Sequence, residues 1–282
     1  MANLLLAKPV VASLQERIKE RVKHVQQTQK RSPKLAVILV GENPASVIYT
    51  RKKGETAVAL GMEHETIRFD GDASPAEVKS AVDRLNADLS VDGILIQRPL
   101  PSSFREEEVL FWIAPEKDVD AFHPINTGRL VLGLPCFKPC TPAGIMALLK
   151  YYKICPSGKV ACIIGRSSIV GKPMAALLLQ ENATVIHCHS KTPDMRSFTK
   201  QAELLIVAIG RPEMIDASYI RPGSVVIDVG ISRTDQGKVV GDVAFASAEK
   251  VASAITPVPG GVGPMTIATL LENTVWAAEL RF

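Results

Sequence analysis

The chain has 282 residues, of which 46% are hydrophobic and 22% charged, with a formal net charge of +4. That length predicts about two domains, and that composition predicts a globular protein with full cores. So small and dispersed a charge argues against a nucleic-acid partner, and no apolar run approaches the length of a membrane span, so no membrane partner is expected.

The N-terminus, MANLLLAKPVVASLQER, has no basic leader and soon becomes amphipathic, which argues against a signal peptide and for a cytoplasmic protein. Five cysteines without a Cys-x-x-Cys pair fit free thiols in a reducing compartment. His187-Cys188-His189 invites a metal reading, but strand alternation sends Cys188 away from both histidines, so no metal is expected.

Val11, Leu14, Ile18, Val22 and Val25 follow helical spacing and predict a first long amphipathic helix. Leu35 to Val40 reads as a buried strand ending at Gly41. Asn43-Pro44 is a cap followed by a proline suited to the first helical turn, so a helix carrying Tyr49 and Lys53 runs towards Leu60 and stops at Gly61. Thr66 to Phe69 is a strand, and Ser74-Pro75-Ala76-Glu77 a capping box that opens the next helix. Ile94 to Gln97 is a third buried strand, followed by a short helix containing Val109 to Ile113. Ala143 to Tyr152 reads as a linking helix.

Val160 to Ile164 is a buried strand ending at Gly165. Pro173 to Leu179 is a helix stopped at Asn182, and Thr184 to Cys188 is a second strand, which together make a βαβ unit. Strands follow at Leu204–Ala208 and Val225–Val229, then a polar turn at Gly237, the loop TPVPGGVGPMT from Thr256, and a C-terminal helix. This alternation predicts an α/β protein of two β/α domains with parallel sheets, the second Rossmann-like, and a ligand cleft between them.

The turn after Gly165 faces a helix N-terminus and so suits an anion. Its dinucleotide fingerprint is broken, because Ser167 and Val170 stand where GxGxxG needs glycine. The serine hydroxyls and Arg166 offer side-chain contacts instead, though the stretch also reads as an ordinary strand–helix turn. About twenty residues on, where NAD sites carry a carboxylate, stand Cys188-His189-Ser190-Lys191. A 2′-phosphate would meet Arg166 and Ser190 there, with Lys191 either a third contact or a solvated surface charge, so NADP is favoured over NAD.

Tyr49 and Lys53 are four apart on one predicted helix and share a face. Gln97 and Asp120 follow strand ends, where ligands bind in such sheets. A buried lysine beside a Gln and a carboxylate suits general acid–base work, and an aromatic beside it suits stacking on a flat substrate. Lys53 also adjoins Arg51 and Lys52, as a solvated charge run would, and Asp120 also suits a turn.

The segments VGENPASVIYTRKK, DGILIQ followed after Arg98 by PLP, PEKDVDAFHPINTGRL, KPCTPAGI, GRSSIVGKP, CHSKT, IDVGI, GDVAF and TPVPGGVGPMT extend over nearly the whole chain. In these it resembles the bifunctional methylenetetrahydrofolate dehydrogenase/methenyltetrahydrofolate cyclohydrolase family. The resemblance implies NADP-dependent oxidation of 5,10-methylenetetrahydrofolate, then hydrolysis to 10-formyltetrahydrofolate, in the one-carbon metabolism that serves purine biosynthesis. It implies Lys53 as the cyclohydrolase lysine, Gln97 as its hydrogen-bond partner, Tyr49 against the aminobenzoate ring and Asp120 on the pterin. Gly165, Arg166, Ser167, Ser190 and Ile231 would contact the cofactor, and Gly263 and Pro264 the substrate. It also implies a homodimer, with residues 1–139 and 265–282 as the folate-binding catalytic domain and 140–264 as the NADP-binding domain. Three departures stand out: Arg98 where the family usually has Leu, Ala121 for the usual Gly, and Gly54-Glu55 for a commonly basic pair. A shikimate dehydrogenase-like enzyme and a catalytically silent dinucleotide-binding protein on the same fold are the rival readings.

Overall fold

A computed structural model of the chain describes residues 1–234 and 236–280. In chain order the elements are β1 (Asn3–Leu4), α1 (Ala7–Gln29), β2 (Lys34–Val40), α2 (Pro44–Ala59), β3 (Glu63–Phe69), α3 (Pro75–Ala87), β4 (Gly93–Ile96), α4 (Glu106–Val109), α5 (Pro124–Val131) and α6 (Cys140–Tyr151). There follow β5 (Val160–Ile164), α7 (Gly171–Gln180), β6 (Thr184–Cys188), α8 (Met195–Thr199), β7 (Leu204–Val207), β8 (Val225–Asp228), β9 (Ser232–Arg233), β10 (Val239–Val240), α9 (Phe245–Ala248), β11 (Ala254–Ile255) and α10 (Gly263–Glu279). The chain divides into a first unit, Met1–Ala12 with Pro139–Thr266, and a second, Ser13–Lys138 with Ile267–Phe282. Arg281 and Phe282, which the sequence reading includes in the folate-binding domain, lie outside the described residues.

The second unit is built on a parallel sheet in the order β3-β2-β4. β2, KLAVILV, is buried along nearly its whole length because neighbours cover both of its faces. Each apolar side chain so buried contributes about 1.5–3 kcal/mol. Asn43 caps α2, its Oδ1 accepting from the amides of Ala45 and Ser46, and the Ser74–Glu77 capping box opens α3. Asp92, fully buried, accepts a two-pronged contact from Arg31 at 2.7 and 2.8 Å and a third bond from the Lys34 amide. Asn273 of α10 donates to the carbonyls of Val119 and Lys138, tying down the loop that carries Asp120.

The first unit holds a parallel sheet in the order β1-β11-β8-β7-β5-β6. The chain lays β6 on one side of β5 and then crosses to β7 on the other, so the switch point lies between β5 and β7. β9 and β10 form a separate antiparallel pair around the turn at Gly237.

Three expectations change. The sequence reading puts residues 1–12 in the folate-binding domain, but β1 pairs with β11, so this stretch completes the six-stranded sheet. The helix read around Val109 to Ile113 is the single turn α4, followed by turns. The helix read as a linker, α6, lies within the first unit. The five cysteines are unbonded, and all but Cys155 are buried.

Candidate active site

Helix α2 carries Tyr49 and Lys53 one turn apart. Tyr49 is 38% exposed, whereas Lys53 is only 8% exposed. The Lys53 ammonium donates to Gln97 Oε1 at 2.8 Å. An amide oxygen orients the amine without neutralising it. Gln97 follows β4, and its own amide donates to the Ile38 carbonyl, so the β2–β4 ladder fixes its backbone. Its Nε2 donates to the Arg98 carbonyl at 2.6 Å, which also accepts from Ser46 Oγ of α2 at 3.2 Å. The loop after β4 and the helix bearing Lys53 are therefore stitched together at both ends of Gln97.

Asp120 is half-buried. It lines a small cavity of about 30 Å³ with Ile96, Arg98, Asp118, Phe122 and His123, so it shares a wall with the two residues flanking Gln97. The adjacent lysine and carboxylate, Lys117 and Asp118, do structural work that the sequence reading missed. Lys117 Nζ donates to the Leu85 and Asp88 carbonyls at 2.7 and 2.6 Å, closing the end of α3. Asp118 accepts from the His123 amide and from Asn126 Nδ2. Burial nevertheless pushes its carboxyl up to about 6.

The surroundings of Arg98, Ala121 and Gly54 bear on the three departures. Arg98 is anchored to Glu106 at 2.6 Å and lies 5.3 Å over the Phe122 ring, so it walls the Asp120 cavity. Ala121 has φ +62°, in the left-handed region that favours glycine. Gly54 leaves room for His64 of β3: a Cβ there would lie 2.5 Å from Cδ2 and 2.7 Å from Nε2 of that ring.

In the first unit, the turn after β5 meets the loop after β7. Gly165 has φ +119°, and a Cβ on it would collide with the Ala208 carbonyl. A Cβ on Gly171 would collide with the Gly165 carbonyl. Gly171 thus supplies the close helix–strand approach that the fingerprint assigns to its third glycine, one residue later than the spacing predicts. Ser167 Oγ accepts from the amides of Val170 and Gly171 at 3.2 and 3.4 Å, capping α7, and Arg166 is exposed beside it. Cys188 is buried, while His187 Nε2 donates to the Gly165 carbonyl at 2.7 Å. In the turn after β6, the His189 amide donates to Thr192 Oγ1 and the Lys191 amide to His189 Nδ1, leaving Ser190 and Lys191 exposed. Ile164 and Cys188 are paired in register, so Arg166 and Ser190 follow neighbouring strand ends.

Ile231 is 52% exposed after β8, and a Cβ on Gly263 would lie 3.1 Å from its Cδ1. The structure therefore groups Gly263 and Pro264 with Ile231 in the first unit. Tyr49, Lys53, Gln97 and Asp120 form a separate group in the second.

A parallel sheet with a glycine-bearing turn at its switch point has the architecture of α/β nucleotide-binding proteins, and the second unit adds a buried, oriented amine. Residues 5–120 match the family model described as tetrahydrofolate dehydrogenase/cyclohydrolase, catalytic domain, and residues 139–282 its NAD(P)-binding domain. The bifunctional protein FolD of Exiguobacterium sibiricum is 50% identical over 279 residues, 99% of this chain and 100% of that one. The crystal structure of the FolD bifunctional enzyme from Campylobacter jejuni superposes with a TM-score of 0.97 at 46% identity over 100% of both chains. That of the Trypanosoma brucei methylenetetrahydrofolate dehydrogenase-cyclohydrolase, complexed with NADP cofactor and inhibitor, gives 0.94 at 33% identity over 100% of this chain and 99% of that one. The chain belongs to the tetrahydrofolate dehydrogenase/cyclohydrolase family.

Proposed function

We propose that the chain oxidises 5,10-methylenetetrahydrofolate with NADP and hydrolyses the resulting 5,10-methenyltetrahydrofolate to 10-formyltetrahydrofolate. The second unit serves as the folate side and the first as the NADP side. The switch-point turn suits the cofactor: Gly165 and Gly171 let it pack closely against the Ala208 carbonyl and onto itself, α7 presents its N-terminus, and Arg166, Ser190 and Lys191 stand exposed with no carboxylate in the CHSKT turn. Bound beside Arg166 and Ser190, NADP would supply the acceptor for a hydride leaving the methylene carbon. The two folate nitrogens stabilise the cation left behind, so this step asks the protein for orientation more than for a base.

Hydrolysis asks for more. Water adds to the methenyl carbon and loses one proton; the bond from that carbon to N5 then breaks as the remaining hydroxyl proton leaves the oxygen to give the formyl group, N5 takes up one proton and the other is released to solvent. Lys53 exchanges these protons, Gln97 holds its amine, Tyr49 packs on the aminobenzoate ring and Asp120 binds the polar edge of the pterin. Arg166, Ser190 and Ile231 contact NADP along with the backbone at Gly165 and Ser167, while Gly263 and Pro264 approach the substrate. The chain works as a cytoplasmic homodimer in the one-carbon metabolism that feeds purine biosynthesis.

The observation that carries this reading is the buried Lys53 ammonium held at 2.8 Å by Gln97, with Tyr49 on the same helix face. Lys53→Met removes the ionisable group and keeps much of the side chain's length. Hydrolysis of supplied methenyltetrahydrofolate should fall by about 10²–10⁴-fold, so that this product of oxidation accumulates during turnover and is read by its absorbance. Hydrolysis at the parental rate would refute the assignment.

A further inference from the structure

The segments IDVGI and GDVAF supply two buried carboxylates, Asp228 at the end of β8 and Asp242 after β10, for which the reading so far has no use. Asp242 is fully buried. Its Oδ2 accepts from the amides of Ile209 and Gly210 at 2.7 and 2.9 Å, while its Oδ1 has no partner among the described residues. Asp228 uses both oxygens. Oδ1 accepts from the amides of Gly230 and Asp242 at 3.0 and 2.9 Å, and Oδ2 from that of Val243 at 3.0 Å.

The two segments are cut to fit one another. A Cβ on Gly230 would collide with the Asp242 carboxylate, and one on Gly241 with the Asp228 carboxylate. Each segment therefore carries an aspartate and a glycine that makes room for the other's aspartate. The amides they gather belong to functional places. Ala208-Ile209-Gly210 is the loop that faces Gly165 across the switch point, and Gly230 immediately precedes Ile231. Burying two like charges close together is costly, and burial pushes the Asp228 carboxyl up to about 6, so at neutral pH it is ionised and accepts from all three amides.

From this geometry we infer that Asp242 and Asp228 are positioning residues for the dinucleotide, Asp242 fixing the β7 wall of the crevice and Asp228 fixing Asp242 and the start of the Ile231 loop. The inference rests on the first unit being the NADP side. It predicts opposite responses to asparagine. Asp242→Asn keeps an oxygen for Ile209 and Gly210 and turns its NH₂ towards the side that no donor occupies. Asp228→Asn must turn an NH₂ against an amide N–H whichever way it faces.

The test measures NADP dissociation constants by calorimetry alongside hydrolysis of supplied methenyltetrahydrofolate, which needs no cofactor. Asp242→Ala and Asp228→Asn should each weaken NADP binding by roughly tenfold or more, about the loss of one to two hydrogen bonds. Asp242→Asn should stay within about threefold of the parent, which is too small a change for a lost bond. Hydrolysis should change little in all three. If Asp242→Ala does not fold, the contrast between the two asparagine variants decides alone. Unchanged NADP affinity in Asp228→Asn, equal losses in both asparagine variants, or hydrolysis falling in parallel with NADP affinity would overturn the inference. No NADP binding by the parent would overturn the functional reading itself.

Discussion

Gly54→Ala tests how closely the helix that carries Lys53 is held to β3. In an open helix interior this change gains about 1 kcal/mol. Here the new Cβ would meet the His64 ring at 2.5 Å, and that ring is half-buried and hydrogen-bonded through Nε2 to Thr66 Oγ1 at 3.0 Å. Displacing it costs about 1–3 kcal/mol in overpacking and about 0.5–1.5 kcal/mol in the lost bond. The middle of each range leaves the variant destabilised by about 2 kcal/mol. In a His64→Ala background the obstacle is gone, and the same change should stabilise by about 1 kcal/mol. Both tryptophans, Trp112 and Trp276, lie in the second unit, so their fluorescence during urea unfolding follows that unit. Burial holds the His64 pKa below the ordinary histidine range, so a displaced ring should also titrate higher by NMR. The same effect of Gly54→Ala in both backgrounds would refute the reasoning.

Two further outcomes bear on the site. Arg166→Ala should weaken NADP binding much more than NAD binding, as measured by calorimetry, since only NADP carries the 2′-phosphate. Asp118 sets a pH dependence: its carboxyl sits near 6 in the fold against 3.8 in the unfolded chain, so the fold binds the extra proton between those values. Its contribution is fully present below about pH 4 and is lost as pH rises through 6, a change of about 3 kcal/mol. Asp118→Asn should flatten the urea midpoint over that window relative to the parent.

Local pattern carried most of the second unit and the βαβ core. The strands read at Val160–Ile164 and Thr184–Cys188 have those same bounds in the structure, because apolar runs flanked by glycine and asparagine leave little choice. The capping box at Ser74 and the helix stop before Gly61 were legible for the same reason. Pairing across long separations was not. Nothing in MANLLL says that Asn3 and Leu4 join a sheet edge at Ala254 and Ile255, and two residues are too few to show alternation. At the site, one helical turn predicted that Tyr49 and Lys53 share a face. The contact of Lys53 with Gln97 came from resemblance, since spacing cannot bring a helix to a strand end. The third glycine escapes the fixed GxGxxG spacing because the turn here is one residue longer and puts it at Gly171. Asp228 and Asp242 were visible only as motifs, because their partners are backbone amides that sequence does not mark.

The pairing of β1 with β11 has a consequence for synthesis. Asn3 and Leu4 leave the ribosome roughly 250 residues ahead of their partners. Closing a loop of that length costs about 5 kcal/mol in chain entropy beyond a fixed term. The second unit waits as well, because Asn273, which holds the loop next to Asp120, is made 154 residues after Val119. Neither unit is complete until Ala254, Ile255 and Asn273 have been made. The strand edge at Ile255 then depends on a segment that must remain uncommitted until β11 emerges.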